Sequence, residues 1–230
     1  MKQVIHSLLS VVTVVTMAAC AEKGYQGTSL AEEGPPALTA PEKPQEPAVA
    51  GTIYREIGIA SWYGKDFQGR KTASGEPFDM NGRSAAHRTL PLGTVIRVTN
   101  LENYKSIEVV VNDRGPLVKS RVLEVSYGAA KELGFVAQGT ARIKIETVDP
   151  VSDAGTYTVL AAAFSEEENA KLLREKLTQR YEVVAIALFT SNIGTFYRVR
   201  VGNYPSEEKA ERIASKLTLE GLEPIVVRKD

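Results

Sequence analysis

A forty-residue internal repeat limits most sharply what this chain can fold into. Tyr157-Thr158-Val159, then Phe164, then a helix-like Glu166–Arg180 recur as Tyr197-Arg198-Val199, Tyr204 and Ser206–Glu220. At this offset Val159 matches Val199, Glu167 matches Glu207, Ala170 matches Ala210 and Leu177 matches Leu217. Each helical stretch carries an apolar stripe at i, i+3 and i+7 (Ala170, Leu173, Leu177 and Ala210, Ile213, Leu217), so each has one face to bury. Ser165 and Ser206 read as N-caps, followed by acidic residues that the helix dipole favours in the first turn. With further strands at Val183–Leu188 and Glu223–Val227, the repeat specifies a small α+β unit of βαββαβ order. Its two helices should cover one face of an antiparallel sheet and leave the other open to a ligand.

Upstream the periodicity is different. Val95–Thr99 and Ile107–Val111 are β-branched runs joined by a polar Asn100–Ser106 turn, and Val122–Val125 and Ala141–Val148 fit further strands. One helical stretch, Tyr127–Leu133, stops at Gly134, a residue suited to a C-cap. Short strands, glycine-rich turns and one short helix point to a small β-barrel over residues 53–149, mainly β in class. Asp149-Pro150 opens a hinge at 150–155, and the repeat unit occupies 156–230.

Residues 1–19 have the form of a secretory signal. Lys2 precedes an apolar Val4–Val15 stretch too short for an ordinary membrane span, and Met17-Ala18-Ala19 leads into Cys20. That ending resembles a lipobox, which implies signal cleavage and a lipidated Cys20 as the membrane anchor. Ala21 after the cysteine resembles outer-membrane sorting in Gram-negative lipoproteins. Residues 20–52 then form a tether with Pro35, Pro36, Pro41, Pro44 and Pro47 and almost nothing to bury.

Lys plus Arg and Asp plus Glu balance at 28 each, so there is no basic footprint for nucleic acid and no polybasic membrane patch. Cys20 is the sole cysteine and His87 the sole histidine after the signal, so neither a disulfide nor a structural zinc site is expected. Chemistry is densest between Gly58 and Pro116. Glu76 and Asp79 flank Pro77-Phe78 in a turn-rich loop, and Asp113 sits just past a strand beside Arg114-Gly115-Pro116. Crowded carboxylates suit glycosidic-bond chemistry, because their pKa values are pushed apart and one stays protonated as an acid. Trp62 and Tyr63 would offer a platform for sugar faces. The same residues also read as a turn at Asp79 and Asn81-Gly82, an Asp113–Arg114 ion pair, and a Trp62 in the core.

Five literal stretches carry a family resemblance: ASWYG at 60–64, TASGE at 72–76, FDM at 78–80, AAHRTLPLGT at 85–94 and NDRGP at 112–116. Residues 58–148 resemble the double-psi β-barrel of the rare lipoprotein A family, the septal-ring lytic transglycosylases, and residues 157–228 resemble a SPOR domain. The resemblance implies a six-stranded double-psi barrel followed by a ferredoxin-like peptidoglycan-binding module. It implies cleavage of the β-1,4 bond between N-acetylmuramic acid and N-acetylglucosamine, with 1,6-anhydro ends, on denuded septal glycan. Asp113 would be the acid/base, with Asp79 the alternative for that role; Glu76 and Asp79 would raise the Asp113 pKa and stabilise oxocarbenium character, and His87 would orient a carboxylate or bind substrate. Trp62, Tyr63, Arg114, Arg198 and Arg200 would contact the glycan. Glu124-Val125-Ser126 stands where the family commonly has Asp-Leu-Ser, and Leu160 and Ala162 stand where its SPOR modules usually have Gln and Gly. No metal or cofactor and no nucleic acid is expected. The protein should act as a monomer on the periplasmic face of the outer membrane, enriched at the division septum. The alternative is a non-catalytic wall-binding or septal scaffold lipoprotein.

Overall fold

The computed structural model describes residues 51–191 and 194–229. The expected signal, Cys20 and nearly all of the tether lie outside the described residues.

Six strands close into a barrel: β1 (Arg55–Tyr63), β2 (Ser84–Ala86), β3 (Val95–Asn100), β4 (Ser106–Asp113), β5 (Leu123–Ser126) and β6 (Thr140–Thr147). Their order is β1-β5-β2-β4-β3-β6, with β1–β5 and β2–β4 parallel and the other pairs antiparallel. This is the six-stranded double-psi architecture anticipated for this part of the chain. Alternation sets the inside. Ile96 and Val98 on β3 and Ala141, Ile143 and Ile145 on β6 meet Val109, Val111, Leu123 and Val125 in one core. Each fully buried Val, Leu or Ile side chain there contributes roughly 1.5–3 kcal/mol.

The runs at 95–99 and 107–111 each fall inside an observed strand. β1 and β2 are strands that the sequence pattern does not mark, and Trp62 and Tyr63 lie on β1. β1 mixes Gly58, Ala60 and Ser61 among its apolar residues, which hides its alternation. Gly58 is there for space, since a Cβ would meet Val122 Cγ1 at 2.5 Å. β2 is too short, at three residues, to display a period.

Helix α1 (Tyr127–Leu133) ends at Gly134 as the sequence indicates. Ser126 Oγ accepts from Ala129 N at 3.2 Å, and Gly134 adopts φ 77° at the C-cap. The first turn of α1 lies against the turn at 80–82. Gly128 N donates to Met80 O at 2.8 Å, and a Cβ at 128 would run into the Asn81 backbone.

The C-terminal unit contains β7 (Thr156–Phe164), α2 (Glu167–Thr178), β8 (Val184–Ser191), β9 (Gly194–Tyr204), α3 (Glu207–Leu219) and β10 (Ile225–Lys229). Its sheet order is β10-β7-β9-β8, and both helices bury their stripes against one face. Ser206 caps α3 by accepting from Lys209 N at 3.3 Å. The expected cap Ser165 falls one position early. β7 runs to Phe164, α2 begins at Glu167, and its N-cap is Glu166 without a side-chain bond. The second sheet face, expected to be left open for a ligand, carries no helix and lines a cavity shared with the barrel. Arg228 N donates to Arg88 O at 2.9 Å, and Arg70 Nη1 donates to Thr190 O at 3.0 Å.

Gly128→Ala should therefore lower stability by about 2 kcal/mol or more, because backbone rather than a movable side chain must give way. A shifted urea midpoint at unchanged m-value would show it.

Candidate active site

The pairing of β2 brings two carboxylates together. Ala86 is in register with Asp113 on the parallel neighbour β4 and with Glu124 on the antiparallel neighbour β5. The two acids therefore flank one small residue, two strand spacings or roughly 10 Å apart at Cα. Both line a cavity of about 1130 Å³ between the barrel and the C-terminal sheet.

Asp113 is held by backbone. Its Oδ1 accepts from Ala73 N at 2.9 Å and Arg114 N at 2.8 Å, and its carbonyl accepts from His87 N at 3.1 Å. The TASGE stretch supplies the first of these donors. Thr72 N to Glu76 O at 2.9 Å and Gly75 at φ 94° fold it into a tight turn, and Ser74 N pins that turn to Asn112 O at 3.0 Å. Arg88 steadies the segment after Asp113, donating to the carbonyls of Pro116, Val118, Lys119 and Arg121. Burial pushes the Asp113 carboxyl above its ordinary value, against the lowering effect of the Arg114 and Ala73 N–H groups and of the Arg114 and Arg198 charges. With two donors on Oδ1, Oδ2 is the oxygen left to carry a transferable proton.

Glu124 is raised as well, first by burial, with Arg121 and a 3.3 Å bond from Ser61 Oγ to its Oε1 acting the other way. It was singled out in the sequence only as a departure from pattern. The available signal was positional: an acid between Leu123 and Val125, both fully buried, must point to the opposite side of its strand.

The other anticipated residues divide. Trp62, Tyr63, Arg114, Arg198 and Arg200 all line the cavity with Asp113. Tyr63 stacks on Phe78 at 4.2 Å between centroids. Trp62 is shared with the core, its Nε1 donating to Val136 O at 3.3 Å. Glu76 and Asp79 are exposed and are not on the cavity wall. Asp79 spends Oδ1 on Asn81 N at 3.0 Å in a local turn. Neither acid figures among the leading causes of the Asp113 shift, so burial takes the part expected of them.

His87 is 3% exposed and faces away from the cavity, into a separate pocket of about 350 Å³. Its Nδ1 accepts from Thr89 N at 3.2 Å and Leu90 N at 3.0 Å, which leaves the proton on Nε2, 3.4 Å from Glu56 Oε2. Burial lowers the imidazole pKa despite Glu56. Burial would raise Glu56, but hydrogen bonds from His87 and Tyr54 outweigh it and hold the carboxyl below its ordinary value. His87 reaches the acid through the main chain only: its N–H bonds Asp113, and its carbonyl accepts from Arg114 Nη1 at 3.2 Å. Among the described residues no three His, Cys, Asp or Glu side chains group as a metal site.

Comparison with known proteins bears on this geometry. Residues 55–145 match the family model described as a lytic transglycolase, and residues 153–228 match the SPOR domain. The endolytic peptidoglycan transglycosylase RlpA of Neisseria meningitidis serogroup B is 40% identical over 164 residues, covering 68% of this chain and 69% of that protein. The protein of the same name from Pseudomonas aeruginosa UCBPP-PA14 is 56% identical over 98 residues, which is 43% of this chain and 29% of the relative's length.

The His87 environment gives a pH signature. Its folded pKa lies below the ordinary 6.5, so the unfolded chain takes up the proton first as pH falls. The stabilisation is present above that value and is lost on acidification. The gap in unfolding free energy between the wild type and His87→Gln should narrow between about pH 7.5 and 5.5. Urea titrations at the two pH values measure it.

Proposed function

This chain belongs to the rare lipoprotein A (RlpA) family, and from that membership we propose that it is a lytic transglycosylase of peptidoglycan. The proposed reaction cuts the β-1,4 bond between N-acetylmuramic acid and N-acetylglucosamine within glycan strands. The observation that carries this reading is the Asp113–Glu124 pair, two desolvated carboxylates on one cavity wall.

Asp113 is the proposed acid/base. Its raised pKa lets it hold a proton, which it gives to the glycosidic oxygen as the bond to the muramoyl C1 breaks. The resulting carboxylate takes the proton of the C6 hydroxyl on the same sugar as O6 bonds to C1. This closes the 1,6-anhydro ring and restores the acid. The nucleophile belongs to the substrate and is already near its target, so no enzyme nucleophile or water is needed. Glu124 sits across Ala86, where it can stabilise positive charge developing at C1. Trp62 and Tyr63 give apolar area for sugar faces.

The C-terminal module is proposed to hold the protein on peptide-free septal glycan, as the SPOR match supports. Cys20, as a lipidated N-terminus, is proposed to anchor the protein to the periplasmic face of the outer membrane.

A digest of peptide-free sacculi by the chain from Ala21 onward, read by mass spectrometry, should give 1,6-anhydro-muramoyl ends. Asp113→Asn should reduce them about 10³-fold and Glu124→Gln roughly tenfold to a hundredfold. Glu76→Gln and Asp79→Asn should each cost less than Asp113→Asn. Reducing ends would mean a hydrolase, and co-sedimentation with sacculi without products would mean a binding protein. Separately, Cys20→Ser should abolish palmitate labelling and move the protein from the membrane to the soluble fraction.

A further inference from the structure

The C-terminal sheet does more than lie near the cavity; it makes one of its walls. On β9, Val199 and Val201 point into the helix-covered core, so Arg198 and Arg200 emerge on the opposite face. Both line the cavity that contains Asp113 and Glu124. Arg198 is fixed there by packing: its guanidinium lies over the Phe189 ring of β8, 3.6 Å from the centroid. The charged lining is mostly cationic, although the whole chain has zero formal net charge. The barrel thus contributes the acids, and the sheet contributes a wall of arginines.

We propose that Arg198 is a positioning and specificity residue of the cleavage step itself, one glycan strand being gripped by the sheet and the barrel together. On the transglycosylase reading above, a carboxylate on the strand meets Arg198 and Arg200 while the scissile bond lies at Asp113. Lactyl carboxylates of muramoyl sugars are free only where the stem peptide is gone, because the peptide ties them up as amides. The arginine wall therefore selects peptide-free strands at the point of cleavage and not merely at a distant docking face. Two features support this. Burial, and then repulsion by Arg200, lowers the Arg198 guanidinium to about 10, so an anion between the two is stabilising. The Arg198 charge also reaches Asp113, holding its carboxyl lower than burial by itself would set it. The other groups facing Asp113 are Arg114 beside it, Glu124 across Ala86 on β5 and Tyr63 on β1, with Arg228 of β10 acting on Arg114.

The test uses the chain from Ala21 onward with Arg198→Ala and Arg198→Lys, on peptide-free and on peptide-bearing strands. On peptide-free strands Arg198→Ala should raise KM about tenfold. It should also move the high-pH limb of kcat upward by about 0.5 unit, since Asp113 loses a cation that favoured its ionised form. Arg198→Lys should restore the limb, because the charge returns, and recover only part of KM, because the two-pronged fork does not. On peptide-bearing strands Arg198→Ala should change KM little. A rise in KM with kcat, its pH limb and the substrate preference all unchanged would overturn the proposal, because the sheet would then bind glycan independently of the cleft. Absence of anhydro products from the wild type would instead overturn the transglycosylase reading. Unchanged unfolding midpoints for both variants exclude a folding defect as the source of either result.

Discussion

The candidate site depends on how a three-residue strand is paired. β2 lies between β4, which it meets in parallel, and β5, which it meets antiparallel, and Ala86 is in register with an acid on each. A slip of one residue on either side would turn that acid to the other face of its strand, into the core or away from its partner. The bond from His87 N to Asp113 O continues the β2–β4 contact past the end of β2. The TASGE turn and the four carbonyl contacts of Arg88 then fix Asp113 and the segment from Pro116 to Arg121. His87 and Arg88 thus serve Asp113 through backbone geometry, without touching the space where a substrate would lie.

Electrostatics in the cavity is a contest between burial and charge. Desolvation raises Asp113 and Glu124 and lowers Arg114 and Arg198, each toward its neutral form. Opposite charges pull the other way: Arg198 of the C-terminal sheet reaches Asp113 across the cavity, and Arg121, three residues before Glu124 on the barrel itself, reaches Glu124 at 3.7 Å. An acid/base needs a pKa between these limits, high enough to hold a proton and low enough to release it. For Asp113 that balance draws on both walls, Arg114 from the barrel and Arg198 from the C-terminal sheet, which come from distant segments of the chain.

Several elements are legible in the residues themselves. The end of helix α1 is legible at Gly134, because C-capping is a local matter of one left-handed residue. The repeat displays both helices and their buried stripes, because a 3.6-residue period survives in sequence. β1 and β2 are not legible: one is interrupted by Gly58, required for a close contact with Val122, and by Ala60 and Ser61, and the other is shorter than any period. The same limit governs the site. Asp113 stands out beside Gly115-Pro116, whereas Glu124 looks like an ordinary strand residue. The exposed Glu76 and Asp79 look equivalent to Asp113, because the sequence contains no burial.

The sequence by itself determined the two units, the class of each and six of the charged and aromatic residues that line the cavity: Trp62, Tyr63, Asp113, Arg114, Arg198 and Arg200. These follow from periodicity, caps and literal motifs, which are properties of neighbouring residues. Only the tertiary structure decided that Glu124 lies across Ala86 from Asp113, that His87 faces away from the cavity, and that the open face of the repeat unit lines a cavity with the barrel. Strand register, burial and the packing of one sheet on another are relations between distant segments, and local sequence does not encode them.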